Sequence, residues 1–224
     1  MSVLNDLQRH LNVLLINGSP NREGCTYTAL GIVAEELKNA GIETNLIWVG
    51  NKPVSGCIAC CSCKESVSGR CAIDDDGVNA ALELAENTDG FVFGSPVHYA
   101  SAGGTIASFL DRMFFAGKRE YFTHKPGAAV VSCRRSGGSA AVDRLNKYFT
   151  ISQMPVVSSC YWNVVHGNKP EELLQDLEGV AILRTLGRNM AYMLRCMETG
   201  INPPENVPHT RTNFINASSK TILA

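Results

Sequence analysis

Four apolar residues without a polar break, Val13 to Ile16, run straight into the turn Asn17-Gly18-Ser19-Pro20. A strand that is apolar at every position is covered on both faces, which points to the interior of a parallel sheet with helices on either side. A helical pattern over Thr26–Ala40 follows at once, with Gly41 suited to the C′ position. The alternation recurs. Further buried-strand patterns lie at Thr44–Val49, Gly90–Phe93, Ala128–Ser132 and Val156–Ser158, and helical patterns at Gly77–Asn87, Gly103–Ala116, Gly138–Phe149 and Glu171–Glu198. Alternating strands and helices predict an α/β protein with a parallel sheet between two helical layers.

Five strands in this order fit a doubly wound, flavodoxin-like fold, three-layered α/β/α. Its ligand crevice lies beyond the carboxyl ends of the strands, where the loops after the first, third and fourth strands converge. Residues 1–200 are read as that domain, with a cysteine-rich insertion at 50–76, and residues 201–224, which carry three prolines, as an extended tail. The formal charge of −1 and the scattered basic residues give no general attraction to nucleic acid or to an anionic membrane. A small-molecule partner is expected instead. No apolar run approaches the roughly 20 residues that span a bilayer, residues 1–12 lack signal-peptide character, and a cytoplasmic protein is expected. Nine cysteines, an odd number, then read as thiols or metal ligands rather than a disulfide framework.

The first loop, GSPNREGCT, lacks the Gly-Lys-Ser/Thr ending of a nucleotide-hydrolase loop and the GxGxxG spacing of a dinucleotide fold. What remains are the hydroxyls of Ser19 and Thr26, the amides of Arg22 to Thr26 and the Arg22 side chain, a set able to hold a terminal phosphomonoester. The plainer reading is a Gly/Pro turn with Thr26 as a helix N-cap. In the second loop Gly94-Ser95-Pro96 ends the third strand abruptly. Val97, His98, Tyr99 and Ala100 then offer amides and flat side chains to a planar heteroaromatic ring, or form an ordinary strand-to-helix connection. The third loop, SCRRSGG, places Ser132, Arg134, Arg135, Gly137 and Gly138 between a strand and its helix. Arginine there either stabilises negative charge on a reduced ring or is simply solvated.

The order GSP-x3-G-x-T, GSPV-x-Y, SFLDR and S-x-R-x2-GG resembles the NAD(P)H-dependent FMN reductase and multimeric flavodoxin superfamily over about residues 11–200. The resemblance implies an FMN phosphate surrounded by Ser19, Arg22, Cys25 and Thr26. It also implies an isoalloxazine bordered by Pro96, Val97, His98 and Tyr99, with Ser132 to Gly138 at its other edge. Position 25, often Asn in these relatives, is Cys here, and position 98, often Tyr, is His. NAD(P)H is then the co-substrate, a quinone, nitro, azo or flavin compound the acceptor, and a homodimer or homotetramer the expected assembly. No protein side chain is required as a catalytic group.

Cys57, Cys60, Cys63 and Cys71 have the spacing C-x2-C-x2-C-x7-C, with Cys61 extra. Four thiolates so spaced can hold zinc or a [4Fe–4S] cluster, and the motif resembles that of iron–sulfur flavoproteins. Plain thiols are the simpler reading, and an electron carrier with a cluster on this loop is the rival to a flavin-only reductase. A flavodoxin-like binding module without flavin is the third. Asp74, Asp75 and Asp76 read as an N-cap and first helical turn. Tyr161, Trp162 and His166 either wall a substrate pocket or serve packing. His10, His124 and His209 have no partner at ligand spacing.

Overall fold

A computed structural model describes residues 10–205 and 207–208; the remainder of the tail, His209 included, lies outside the described residues. The strands are β1 (Asn12–Asn17), β2 (Glu43–Trp48), β3 (Gly90–His98), β4 (Ser101–Ala102), β5 (Gly127–Cys133) and β6 (Val164–His166). The helices are α1 (Cys25–Asn39), α2 (Ser62–Glu65), α3 (Val78–Glu86), α4 (Gly104–Ala116), α5 (Gly138–Ile151), α6 (Pro170–Leu173) and α7 (Leu177–Met197). The parallel strands are ordered β2-β1-β3-β5-β6, and β4 pairs antiparallel with β3. This order makes β1, β3 and β5 central, which is why their apolar runs are unbroken. The outer strand β2 is half exposed despite its apolar pattern.

Two apolar cores flank the sheet. One buries Leu14, Phe91, Phe93 and Val131 under α3, α4 and α5. The other buries Val13, Leu15, Val92 and Val130 under α1 and α7. Adjacent strand residues thus feed opposite cores, as the two-residue period of a strand requires. Helix α1 ends in a Schellman motif: the Gly41 N–H donates to the Lys38 carbonyl and the Ile42 N–H to that of Leu37, with Gly41 at φ +73°. Glu36 is buried between α1 and α7, where it accepts from Arg184 and Arg188, each at 2.8 Å.

Several sequence expectations are corrected. The fifth strand is not Val156–Ser158. That segment only touches the start of β5, through a bridge between Gly127 and Val156. The chain then loops out, with Ser159 Oγ within hydrogen-bond reach of the Tyr161 carbonyl at 2.6 Å and of the Asn163 side-chain amide at 2.8 Å, and rejoins the sheet as β6. The long C-terminal helix is broken, because the Asp176 carboxylate caps α7 by accepting from the Gly179 N–H at 2.9 Å and also takes the His166 N–H at 2.7 Å. Strand β3 does not stop at Pro96. It continues to His98 and turns through Tyr99 and Ala100, both at positive φ (47° and 57°), into β4. Two consecutive left-handed residues match the twist of a tight hairpin, at a conformational cost in residues that are not glycine. The N-cap of α3 is Gly77 rather than an aspartate, although Asp76 Oδ1 accepts the Val78 N–H at 3.4 Å; the other carboxylate oxygen of Asp76 pairs with the buried Arg112.

Candidate functional site

The turn after β1 is shaped by the side chain of Asn17, a fully buried residue at the end of that strand. Its Oδ1 accepts the Ser19 N–H and its Nδ2 donates to the Arg22 carbonyl, both at 3.0 Å, tying the two sides of the turn together. Ser19 Oγ accepts the Asn21 N–H at 3.1 Å. Trp48, at the end of β2, donates its indole N–H to the Ser19 carbonyl at 2.8 Å, and the Arg22 guanidinium lies 5.6 Å from the Trp48 ring centroid.

The amides that follow are left over. Among the described residues the N–H groups of Arg22, Glu23, Cys25, Thr26 and Tyr27 have no hydrogen-bond partner. Gly24 caps α1 without a side chain, and the first turn of α1 carries no acidic residue. Free donors at the positive end of a 15-residue helix form an anion site. Thr26 is not an N-cap. Its hydroxyl is buried 2.8 Å from Ser132 Oγ, across from β5. One of the two O–H groups closes that pair, which leaves the other able to donate to a ligand.

These residues line a cleft of about 520 Å³ at the carboxyl ends of β1, β3 and β5. Ser19, Arg22, Cys25, Thr26, Pro96, Val97, Ser132 and Arg134 all face it. The far wall, Gly167 to Pro170, follows β6, downstream of the segment expected as the fifth strand. Cys25 reaches that wall, with Sγ 3.6 Å from the Gly167 carbonyl. Burial pushes its thiol up, so it stays neutral beside an anion. Arg22, Arg134 and Lys169 bring positive charge, and the volume suits a small cofactor. Unpaired amides, a shared hydroxyl pair and three cations against the single lining carboxylate of Glu23 fit the phosphate end of FMN.

The other expected residues lie elsewhere. His98 and Tyr99 sit on the exposed hairpin, with Tyr99 fully solvated at its tip. Gly137, at φ +89°, packs beneath that hairpin, where a Cβ would come within 2.8 Å of Ala100 Cα. Arg135 and Gly138 line a second cavity of about 250 Å³ with Tyr161, Trp162 and His166. The two arginines of the third loop therefore serve different cavities.

The insertion folds over α3 and α4. Cys57, Cys60, Cys61, Cys63 and Cys71 line one small cavity of about 20 Å³ with Arg112 and Phe115. All are free thiols. Cys63 is buried, which pushes its thiol up, while hydrogen bonds from Ser62 hold exposed Cys60 below the usual thiol range. The donors match those of zinc or an iron–sulfur cluster in kind, yet among the described residues no three are placed to hold a metal ion.

The strand order and the cleft at the switch point define a flavodoxin-like α/β protein. Residues 11–169 match the NADPH-dependent FMN reductase family, and the chain belongs to that family, a class of flavin-based oxidoreductases. It is 31% identical over 199 residues to an iron–sulfur flavoprotein of Methanocaldococcus jannaschii, covering 84% of this chain and 100% of that one. A Methanosarcina thermophila iron–sulfur flavoprotein is 26% identical over 187 residues, covering 82% and 95%. Among solved structures, RosB with a bound 8-demethyl-8-formylriboflavin-5′-phosphate intermediate superposes with a TM-score of 0.66 at 15% identity, over 93% of each chain. The Trp repressor binding protein of Bacillus subtilis gives 0.59 at 16% identity, over 78% and 99%. Within the described residues no helix is long and apolar enough to cross a membrane.

Proposed function

We propose that this chain passes electrons from NAD(P)H through bound FMN to a small acceptor of the quinone, nitro, azo or flavin class. The observation that carries this reading is the row of unpaired amides at the start of α1, facing the Thr26–Ser132 hydroxyl pair across one cleft. FMN, when bound, supplies the hydride-accepting and hydride-returning chemistry. The chain's own residues bind and orient it. Asn17 and Trp48 hold the turn open-handed to a phosphate, Arg134 and Lys169 neutralise it, and Pro96 and Val97 present an apolar edge towards the ring. Cys25, neutral at physiological pH, adds no competing charge. The exposed aromatic residues Tyr99, Tyr161 and Trp162 support association of copies into a homodimer or homotetramer, which sedimentation would measure.

A second reading, an electron carrier with a [4Fe–4S] cluster, is favoured by the convergence of five cysteines on one cavity and by similarity to proteins named as iron–sulfur flavoproteins. Cys57, Cys60, Cys63 and Cys71 would be its ligands. The visible spectrum of anaerobically purified protein, with iron and acid-labile sulfide assays, separates the two. Flavin bands with NAD(P)H-dependent bleaching support the reductase. A broad additional absorbance with stoichiometric iron supports the carrier, and absence of flavin would sink both.

A further inference from the structure

Arg112 is 1% exposed, the largest fully buried side chain described, and takes no part in the cleft. It lies on α4, and every contact of its guanidinium goes to the cysteine insertion. Nε donates to Cys71 Sγ at 3.3 Å, Nη1 to the Ser55 carbonyl at 3.4 Å and to the Asp76 carboxylate, and Nη2 to the Ile73 carbonyl at 2.6 Å. These partners reach both ends of the insertion. Between them the chain has only the four-residue α2 as regular structure.

A buried ion pair is poor evidence of stabilisation, since an apolar side chain of similar size would serve a core as well or better. Its distinctive capacity is directional: a planar fork with five N–H donors sets the relative position of several acceptors at once. Cys71 is fixed a second time by Asn79, whose Oδ1 accepts the Cys71 N–H at 2.8 Å while its Nδ2 donates to the Cys71 carbonyl at 2.9 Å. Cys63 is anchored separately in the core beneath α4. Cys57, Cys60 and Cys61 remain exposed. The thiol cavity thus has a fixed base and an exposed rim.

We propose that Arg112 is the positioning residue of the cysteine loop, holding Cys71 and both ends of the insertion so that the base of the thiol cavity is in place before anything enters it. This does not depend on which occupant the cavity takes; only the iron measurement below rests on the second reading of function. Arg112→Gln removes the fork, and Arg112→Lys keeps the charge but cannot bridge four acceptors. In FMN-loaded, reduced protein, hydrogen exchange over residues 55–73 and alkylation of Cys71, located by peptide mass, should both rise at least about tenfold in Arg112→Gln, with FMN content and exchange of β1 and β5 unchanged. Exchange and alkylation within twofold of wild type, with FMN retained, would overturn the proposal. If Arg112→Gln fails to fold, Arg112→Lys decides: faster opening of 55–73 alone supports the fork, and wild-type behaviour refutes it. After anaerobic reconstitution with ferrous iron and sulfide, wild type should load iron and Arg112→Gln should not. Equal loading by both counts against the proposal. If neither loads iron, the carrier reading fails while the exchange and alkylation results still decide the role of Arg112.

Discussion

Thr26 and Ser132 share one hydrogen bond across the cleft, so neither hydroxyl acts alone. Thr26→Ala should weaken FMN binding by roughly 1.5–3 kcal/mol, the range for a lost bond to a charged group. A Thr26→Ala, Ser132→Ala pair should cost less than the sum of the single changes, because each single change also strands the other hydroxyl. Fluorescence titration of the apoprotein measures both, and unchanged affinity in Thr26→Ala would remove it from the phosphate site. The arginines make a sharper contrast. Arg134 lines the cleft and Arg135 the neighbouring cavity. Arg134→Ala should therefore weaken FMN retention and lower the flavin potential, since a cation facing the reduced cofactor is lost. Arg135→Ala should leave both unchanged, and spectroelectrochemistry distinguishes them. The sequence RR carried no sign of this division, because which way each side chain turns depends on the hairpin packed against Gly137. Asn17 was hidden for a related reason: an Asn after an apolar run reads as a turn residue, and its two bonds appear only once the turn is closed.

At the level of elements, β1, α1 and β5 were legible because burial on both faces and a Gly41 stop leave few alternatives. The fifth strand was not. Val156-Val157 and Val164-Val165 are equally apolar pairs, and only the pairing of Val131 to Cys133 with Val164 to His166 decides between them. The break before α7 was masked by apolar residues on both sides of Asp176, whose capping bond to Gly179 is local but whose bond to His166 is not. The clamp between α1 and α7 yields a pH prediction. Arg188, then Arg184, hold the Glu36 carboxyl below the usual carboxylate range despite its burial. A carboxylate whose folded-state pKa is depressed contributes stability that is present above its unfolded value and lost as pH falls through the folded one. Glu36→Gln should therefore destabilise the fold at pH 7 by about 1 kcal/mol given two well-exposed arginines, which reads as a lower melting temperature. The gap to wild type should close below about pH 4.5, where the wild-type carboxyl itself takes up a proton in the unfolded chain. A gap that stays constant down to pH 3 would argue against the ion pairs.

For the molecule as a whole, the cleft at the ends of β1, β3 and β5 and the thiol cavity are lined by separate residues, and the reductase reading requires only the first. The variant with Cys57, Cys60, Cys63 and Cys71 all replaced by serine is expected to retain FMN and NAD(P)H-dependent reduction of small acceptors, because a two-electron donor and a two-electron acceptor need only flavin between them. Loss of turnover with FMN still bound, in a variant of unchanged melting temperature, would hand the function to the carrier reading. The cleft also has a history within the chain. Thr26 meets Ser132 across 106 residues, and Cys25 meets Gly167 across 142. Contacts of such separation carry a large loop-closure cost and form late in folding. On the ribosome, the turn after β1 is made more than 140 residues before its opposite wall at 167–170. On the FMN reading, cofactor capture therefore waits for the far wall of the cleft to close, and at free FMN a hundredfold above its dissociation constant it would deepen the native basin by about 2.7 kcal/mol.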